Sequence, residues 1–186
     1  MKASPKITKV SVTAFEHELE NVGKDYNTFN MVYEKGGTLS AGGTILLIHT
    51  DQGITGISGP MSGNEAFFIN SQLREFLLGQ DALATELIWD KMYRLLIHGR
   101  KGEAMFAVSA IDNALWDIRG KAVNLPIYRL LGGPTQQTFP AYASALGFAI
   151  SPNEAAATAQ EFVRENNLDR ISHPVTKKRL GIVAPG

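Results

Sequence analysis

Apolar residues between positions 104 and 133 follow the clearest pattern in the chain. In the first half of this segment they recur at alternating steps of four and three, which places them on one stripe of an amphipathic helix. Trp116 lies off that stripe, and Gly120 follows as a helix terminator. The pattern predicts a helix over residues 104–119 whose buried face consists of Ala104, Val108, Ile111, Leu115 and Ile118.

A shorter apolar segment follows this helix. It opens at Pro126 and stops at Gly132-Gly133-Pro134, because proline and paired glycines interrupt regular structure. It predicts a second apolar face, formed by Leu125, Ile127, Leu130 and Leu131.

The N-terminal part alternates β-favouring runs with turn residues. Residues 7–15 predict an edge strand, and residues 44–50 and 54–58 predict two further strands. Asp51-Gln52-Gly53 forms the turn between the last two, with Gly53 suited to a positive φ. Residues 16–37 are polar, glycine-punctuated and too many for a tight hairpin connection, so we expect a long loop there.

Two helices are predicted between this sheet and residue 104. Asn64 caps the first, which runs to about Leu78, and Asp81 caps the second, which ends near His98-Gly99. Their expected inward side chains are Phe68, Leu73, Phe76 and Leu77 for the first helix and Leu83, Leu87, Met92, Leu95 and Leu96 for the second. Strands followed by helices predict an α+β domain over residues 1–134.

A strand around Phe139–Ala143 and a helix to about Asn166 are predicted next. Ser151-Pro152-Asn153-Glu154 starts the helix with an N-cap, a proline at its first position and a capping-box glutamate. Strand then helix is the first β/α unit of a barrel, which we assign to residues 135–168. A full barrel takes roughly 250 residues, whereas 48 remain from Phe139 onward, so we expect the barrel to be incomplete. Residues 169–186 predict an irregular basic tail.

The motif A-x-D-x-A-L-W-D-x-x-G-K-x-x-x-x-P-x-Y-x-L-L-G-G, from Ala110 to Gly133, resembles the close of the capping domain in the mandelate racemase and muconate lactonizing branch of the enolase superfamily. The resemblance implies an α+β fold in which a three-stranded antiparallel sheet is followed by a helical bundle and then the first β/α unit of an incomplete TIM barrel. It further implies a chain truncated before most of that barrel, by nature, by a shifted reading frame or by design.

The chemistry implied by the resemblance is removal of a proton α to a carboxylate, giving an enediolate held by magnesium. Its metal ligands are carboxylates at the ends of later barrel strands. Asp112 and Asp117 do not replace them, because five residues apart on a helix they project in different directions; surface or salt-bridge roles suit them better. We therefore assign no catalytic residue and no metal ligand to this chain, and expect magnesium only in the complete enzyme.

A basic Lys-x-Lys pair at the end of the second barrel strand is also implied by the resemblance, and residues 168–175 lack it. Lys177 and Lys178 are adjacent, so in a strand they would point to opposite faces. A solvated basic tail explains them better than a catalytic pair.

Substrate contact is implied for two loops that close over the barrel mouth in this family, here about residues 16–37 and 58–63. Tyr26, Asn27 and Tyr33 are candidate contacts for a polar substrate, and Met61 is a candidate apolar contact. An exposed loop with incidental aromatic residues is the alternative for each of them.

Composition narrows the remaining options. Eighteen basic and eighteen acidic side chains cancel, so no global field favours nucleic acid or an anionic membrane. Cysteine is absent and the N-terminus lacks the apolar run of a secretory signal, so we expect a soluble cytoplasmic protein. Turns explain the glycine pairs at 36–37, 42–43 and 132–133 better than phosphate binding does. No metal-like spacing joins His17, His49, His98 and His173.

These observations predict the capping and substrate-lid domain of a mandelate racemase-like enzyme whose complete form dehydrates a sugar acid with magnesium. A racemase or cycloisomerase of the same family is the alternative activity. The chain alone is expected to be inactive. The alternative from another class is a non-catalytic module. It would self-associate as a homo-oligomer through the apolar surface that a barrel would otherwise cover. A third possibility is a nucleic-acid binder that acts through the basic tail.

Overall fold

A computed structural model describes residues 3–25, 27–136, 142–144, 155–166 and 170–172. The chain divides into two compact units. The first contains Met1–Glu16 and Gly42–Pro134, and the second contains His17–Ala41 and Thr135–Gly186. The domain boundaries expected from the sequence stay a prediction.

A three-stranded antiparallel sheet opens the chain, as predicted. Its strands are β1 (Ile7–Lys24), β2 (Met31–Thr50) and β3 (Thr55–Met61), with β2 in the centre. The β2–β3 pairing is antiparallel. The turn between these strands has Gly53 at a φ of 75°, in the left-handed region that a side chain disfavours.

The long loop expected over residues 16–37 is wrong, because β1 and β2 extend through it as a hairpin. Only residues 25–30 lie between the two strands, and Asp25 holds this tip together. Its Oδ1 accepts the N–H groups of Phe29 and Asn30 at 3.0 and 3.3 Å, and its Oδ2 accepts Asn30 Nδ2 at 2.7 Å. The shorter loop expected over 58–63 is also mostly strand, because β3 runs to Met61.

The first helical segment comprises α1 (Gly63–Phe68), a π turn (Ile69–Leu73) and α2 (Arg74–Leu77). Its N-cap is Ser62 rather than Asn64, because Ser62 and Glu65 form a reciprocal capping box. The second helix is α3 (Thr85–Leu95). Asp81 does not cap it: the Asp81 carboxylate accepts the Leu83 N–H in the preceding turn.

Helix α4 (Glu103–Val123) carries the predicted apolar stripe, and all five of its residues are buried. Gly120 does not end this helix. The chain continues to Asn124, whose left-handed conformation terminates it, before the single turn α5 (Ile127–Leu130). A Cβ at Gly120 would lie 2.9 Å from the Leu125 carbonyl oxygen, so glycine allows the chain to fold back there.

The core of the first unit joins one face of the sheet to the helices. Leu87 and Leu95, expected inside, are instead 52% and 53% exposed, whereas Ile88 and Met92 occupy the buried face of α3. Among the described residues, no helix has the length and apolar content needed to cross a membrane. The largest fully buried side chains are Ile7, Leu46, Ile48, Ile69, Leu73, Leu77, Ile88, Met92, Ile111, Leu115, Ile118 and Val10.

The second unit contains a β/α segment and the part of the β1–β2 hairpin within His17–Ala41, which we call the distal hairpin. Strand β4 (Tyr142–Ser144) leads to α6 (Ala155–Asn166) and then to β5 (Arg170–Ser172), which pairs parallel to β4. Parallel pairing across an intervening helix is the unit from which barrels are built. In the same unit Lys35 Nζ lies 3.0 Å from Glu161 Oε1. Phe139, residues 151–154 and the basic residues of 173–186 lie outside the described part of the chain.

Candidate functional site

A groove of about 520 Å³ lies in the first unit where β1, β2, the end of β3 and the start of α1 meet. One side is the backbone and ring of Phe15 with the neighbouring strand β2. The other side is the segment in which β3 passes into α1. Its lining residues are Ala14, Phe15, Glu16, Gly42, Gly43, Thr44, Met61, Ser62 and Gly63.

Two glycines on β2, Gly42 and Gly43, allow close packing beside the groove. A Cβ at Gly43 would lie 3.2 Å from the Pro60 Cβ and 3.3 Å from the Phe15 ring. A Cβ at Gly42 would lie 3.0 Å from the Phe15 carbonyl oxygen. The glycine pair expected to form a turn therefore lies within a strand, where the missing side chains allow close approach of β1 and Pro60.

Hydrogen bonds hold the rim formed by Met61 and Ser62. Thr44 Oγ1 donates to the Met61 carbonyl oxygen at 2.9 Å. Glu65 Oε2 accepts the Ser62 N–H at 2.7 Å and also the Ser62 hydroxyl. The hydroxyl bond keeps the pKa of Glu65 below its ordinary value, although partial burial opposes this. The rim therefore carries a carboxylate that stays ionised near neutral pH.

The four predicted lid residues fall in different places. Met61 lines the groove and is 8% exposed, since much of its side chain also packs against the core. Asn27 is exposed at the hairpin tip, and Tyr33 is half-buried on β2; both belong to the second unit. Tyr26 lies outside the described residues. Their contact with substrate stays a prediction.

Sequence reasoning missed Phe15, Gly43 and Thr44 as groove residues. Phe15 was visible only as the end of a strand, and Gly43 only as part of a glycine pair. Phe15, Gly43 and Thr44 come together only because strands distant in sequence pair with each other, so none of the three residues carries a local signal. Met61 was reached only through the family resemblance.

The acidic residues of α4 do not fit a magnesium site. Asp117 Oδ2 accepts the Ile57 N–H at 2.9 Å and lies 2.6 Å from Lys121 Nζ. Asp112 instead lies near the carboxylate of Glu86 on α3, and its pKa is raised by burial and then by that charge. Among the described residues, no group of three or more His, Cys, Asp or Glu side chains could hold a metal ion. No reaction step is therefore assigned to a metal held by these residues.

His49 joins the three strands instead of holding a metal. Its Nε2 lies 3.4 Å from Ser11 Oγ on β1, and its Nδ1 lies 3.0 Å from Thr55 Oγ1 on β3. Each ring nitrogen can pair with a hydroxyl in either tautomer, because a hydroxyl both donates and accepts. This row of three side chains supports the sheet.

Replacing Asp112 by asparagine is expected to stabilise the chain increasingly as the pH rises. The folded state raises the pKa of Asp112 above its ordinary value of 3.8, so ionising this carboxyl costs the folded state more than the unfolded state. The chain therefore loses stability as the pH rises through the raised pKa, whereas asparagine does not ionise and avoids this loss. Thermal midpoints of both forms should be close at pH 3 and should separate, with Asp112→Asn higher, by about pH 7.

Asp90→Asn is the matched control for this substitution. Hydrogen bonding and the charge of Arg94 lower the pKa of Asp90, so its contribution is present at neutral pH and is lost on acidification. Its replacement should therefore lower the midpoint at neutral pH, by a small amount because the pair is exposed. The same pH trend for both variants would contradict the assignment for Asp112.

The three-stranded antiparallel sheet followed by helices, with a groove where β3 passes into α1, makes the first unit an α+β domain. The chain belongs to the mandelate racemase and muconate lactonizing enzyme family, whose N-terminal domain matches residues 36–132. This confirms the relationship that the motif from Ala110 to Gly133 predicted.

Relatives and solved structures agree with this assignment. A D-mannonate dehydratase from Rhizorhabdus wittichii is 40% identical over 106 residues, which are 55% of this chain and 26% of that protein. A mandelate racemase/muconate lactonizing protein from Paracoccus denitrificans, solved in complex with magnesium, superposes with a TM-score of 0.67 at 27% identity. It aligns with 91% of this chain and 42% of its own.

A third protein represents a different activity within the same fold. The 3,6-anhydro-D-galactonate cycloisomerase from Zobellia galactanivorans superposes with a TM-score of 0.66 at 28% identity, over 90% of this chain and 42% of its own. The chain thus spans about a quarter of the length of the curated relative that it matches and less than half of the solved ones.

Proposed function

We infer that the complete protein dehydrates a sugar acid and that this chain supplies its capping domain and substrate lid. The 40% identity to a D-mannonate dehydratase is the observation that carries this proposal. The groove beside Met61 and the polar tip around Asn27 are the parts proposed to select the substrate. Cytoplasmic location is part of the same proposal.

Magnesium is proposed as the cofactor of the complete enzyme, as the complex of the relative from Paracoccus denitrificans suggests. When bound, such a cation stabilises the negative charge that develops as a proton leaves the carbon next to a carboxylate. Among the described residues no group of carboxylates converges, and we propose that the magnesium ligands come from the barrel of the complete enzyme and not from this chain.

Full-length protein incubated with D-mannonate and related sugar acids is expected to release one water per substrate, giving a 2-keto-3-deoxy acid. Mass spectrometry of the product measures the loss of water, and a chelator followed by added magnesium tests the metal. Purified residues 1–186 alone serve as the comparison and are expected to show no turnover. Turnover by this chain alone, or none by the full-length protein with any sugar acid, would contradict the proposal.

Cycloisomerisation or racemisation is the alternative, favoured by the likeness to the cycloisomerase from Zobellia galactanivorans. Such a reaction leaves the mass of the substrate unchanged, so the same experiment separates it from dehydration. An isomeric product of equal mass would replace the dehydratase proposal and leave the lid assignment standing.

Replacing Asn27 by alanine in the full-length enzyme is expected to lower kcat/KM about tenfold through a higher KM, the loss expected when one hydrogen bond to a polar substrate is removed. Asn27 is exposed, and it supports the tip through a backbone hydrogen bond to Asp25 that alanine retains. Glu18→Ala, an exposed change on the same hairpin, is the control and should leave KM unchanged. Equal values for both variants would remove Asn27 from the proposed lid.

A self-associating module without catalysis is the second candidate for the isolated chain. Leu125, Ile127 and Leu131 are 47%, 36% and 68% exposed in the first unit, which leaves apolar surface available to a partner. Sedimentation of residues 1–186 decides this point: a monomer across the accessible concentration range argues against it.

A further inference from the structure

Strand β3 forms one of the two edges of the three-stranded sheet, and β1 forms the other. In the pairing with β2, Ile57 lies opposite Leu47 and Thr55 opposite His49. In an antiparallel pair, alternate residues direct their backbone N–H and C=O groups away from the partner strand. Such outward groups on an edge strand form a template for pairing with another chain.

Two side chains of α4 occupy this template. Lys121 Nζ donates to the Thr55 carbonyl oxygen at 2.7 Å, and Asp117 Oδ2 accepts the Ile57 N–H at 2.9 Å. The two side chains are also paired with each other at 2.6 Å. One acceptor and one donor of the edge are therefore satisfied by an ion pair one helical turn apart on α4.

Packing brings α4 close enough for these bonds. A Cβ at Gly56, between Thr55 and Ile57, would overlap the Ala114 carbonyl oxygen and would lie 2.7 Å from Ile118 Cγ1. Because glycine allows this approach, short hydrogen bonds reach from α4 to the strand on both sides of Gly56. The comparable ion pair Asp90–Arg94 differs, because its hydrogen bond at 2.8 Å joins two residues of the same helix, α3.

We propose that Asp117 and Lys121 form an edge clamp, which holds β3 closed against strand addition by β3 of a second copy of this chain. The clamp occupies two of the backbone groups with which an incoming antiparallel strand would pair, the Thr55 carbonyl oxygen and the Ile57 N–H. Ile57, half of whose surface is exposed, marks where that strand would lie. Two copies meeting at β3 would do so about a two-fold axis, the common symmetry of homodimers.

Hydrogen exchange on the unmodified chain tests whether the clamp forms. The Ile57 amide is expected to be protected although it lies on an edge strand of the sheet. In Asp117→Ala its exchange should accelerate about tenfold or more, as loss of a hydrogen bond to a charged acceptor implies. Exchange of Ile57 at the rate of an unprotected amide in the unmodified chain would overturn the proposal without any variant.

Association tests what the clamp prevents. The double variant Asp117→Ala/Lys121→Ala should shift towards a dimer in sedimentation velocity at concentrations where the unmodified chain does not change. Adding Ile57→Pro should reverse this shift, because proline removes the edge N–H and leaves the bonds between β2 and β3 intact. Asp90→Ala/Arg94→Ala is the matched control and should sediment like the unmodified chain.

Three results would overturn the proposal: an unchanged association state in the double variant, association that Ile57→Pro fails to reverse, or equal association in the matched control. If the double variant does not fold, Lys121→Ala alone frees the Thr55 carbonyl group and retains the Asp117 bond to Ile57. It should give the same shift at higher concentration, and no shift would count against the clamp.

Discussion

Replacing Gly56 by alanine is expected to destabilise the chain by about 3 kcal/mol or more, the upper range of overpacking losses. The added Cβ would overlap the Ala114 carbonyl oxygen and lie 2.7 Å from Ile118 Cγ1. One obstacle is backbone in the middle of α4, which cannot move without shifting a helix whose whole apolar stripe is buried. Urea unfolding followed by circular dichroism measures the loss as a lower midpoint.

Gly63→Ala is the matched control for Gly56→Ala. No atom lies within 4 Å of the position that its Cβ would take, and Gly63 starts α1, where alanine favours the helix more than glycine does. We expect a change within about 0.5 kcal/mol or a slight stabilisation. Similar losses for both variants would mean that close packing of β3 on α4 is not what requires glycine at position 56.

Helix α4 was predictable because its apolar spacing is a local property. Five residues from Ala104 to Ile118 repeat with helical period, and each of them is buried. The end of the helix was not predictable from Gly120, since glycine there serves the approach of the Leu125 carbonyl group rather than a helix stop. That approach follows from the fold-back at Asn124, which no periodicity encodes.

The distal hairpin was missed because its sequence does not alternate. Residues 16–37 include charged residues and glycines on both faces, and a two-stranded ribbon with little buried surface needs no apolar periodicity. Hydrogen bonds to Asp25 hold the tip of this hairpin together. Burial raises the pKa of Asp25, but the hydrogen bonds from Asn30, Phe29 and Asn27 hold the pKa below its ordinary value. Spacing within DYNTFN could suggest a turn, but not strands on both sides.

The candidate site was predictable only in part. The resemblance pointed to the end of the third strand, where Met61 does line a groove. The ring of Phe15 reaches the same groove through the β1–β2 pairing, and Asp117 reaches the Ile57 N–H across 60 residues of sequence. Contacts of this kind depend on tertiary packing. The ion pair between Asp117 and Lys121, four residues apart on α4, could be expected from the sequence, but the hydrogen bond from the Ile57 N–H on β3 to Asp117 could not.

Leu115→Ala and Leu95→Ala form a pair of substitutions with the same chemistry and opposite expected results. Leu115 on α4 is fully buried, so its truncation removes transfer free energy and leaves a cavity, at a cost of about 2–5 kcal/mol. Leu95 is 53% exposed, although the apolar spacing of α3 predicted it inside, so its truncation should cost about 0.5 kcal/mol or less. Urea midpoints of both variants measure the difference, and equal losses would place Leu95 in the core. Unequal losses would agree with the structure, in which Ile88 and Met92 lie on the buried face of α3. The apolar residues of α3 lie on more than one side of the helix, so tertiary packing decides which side is buried.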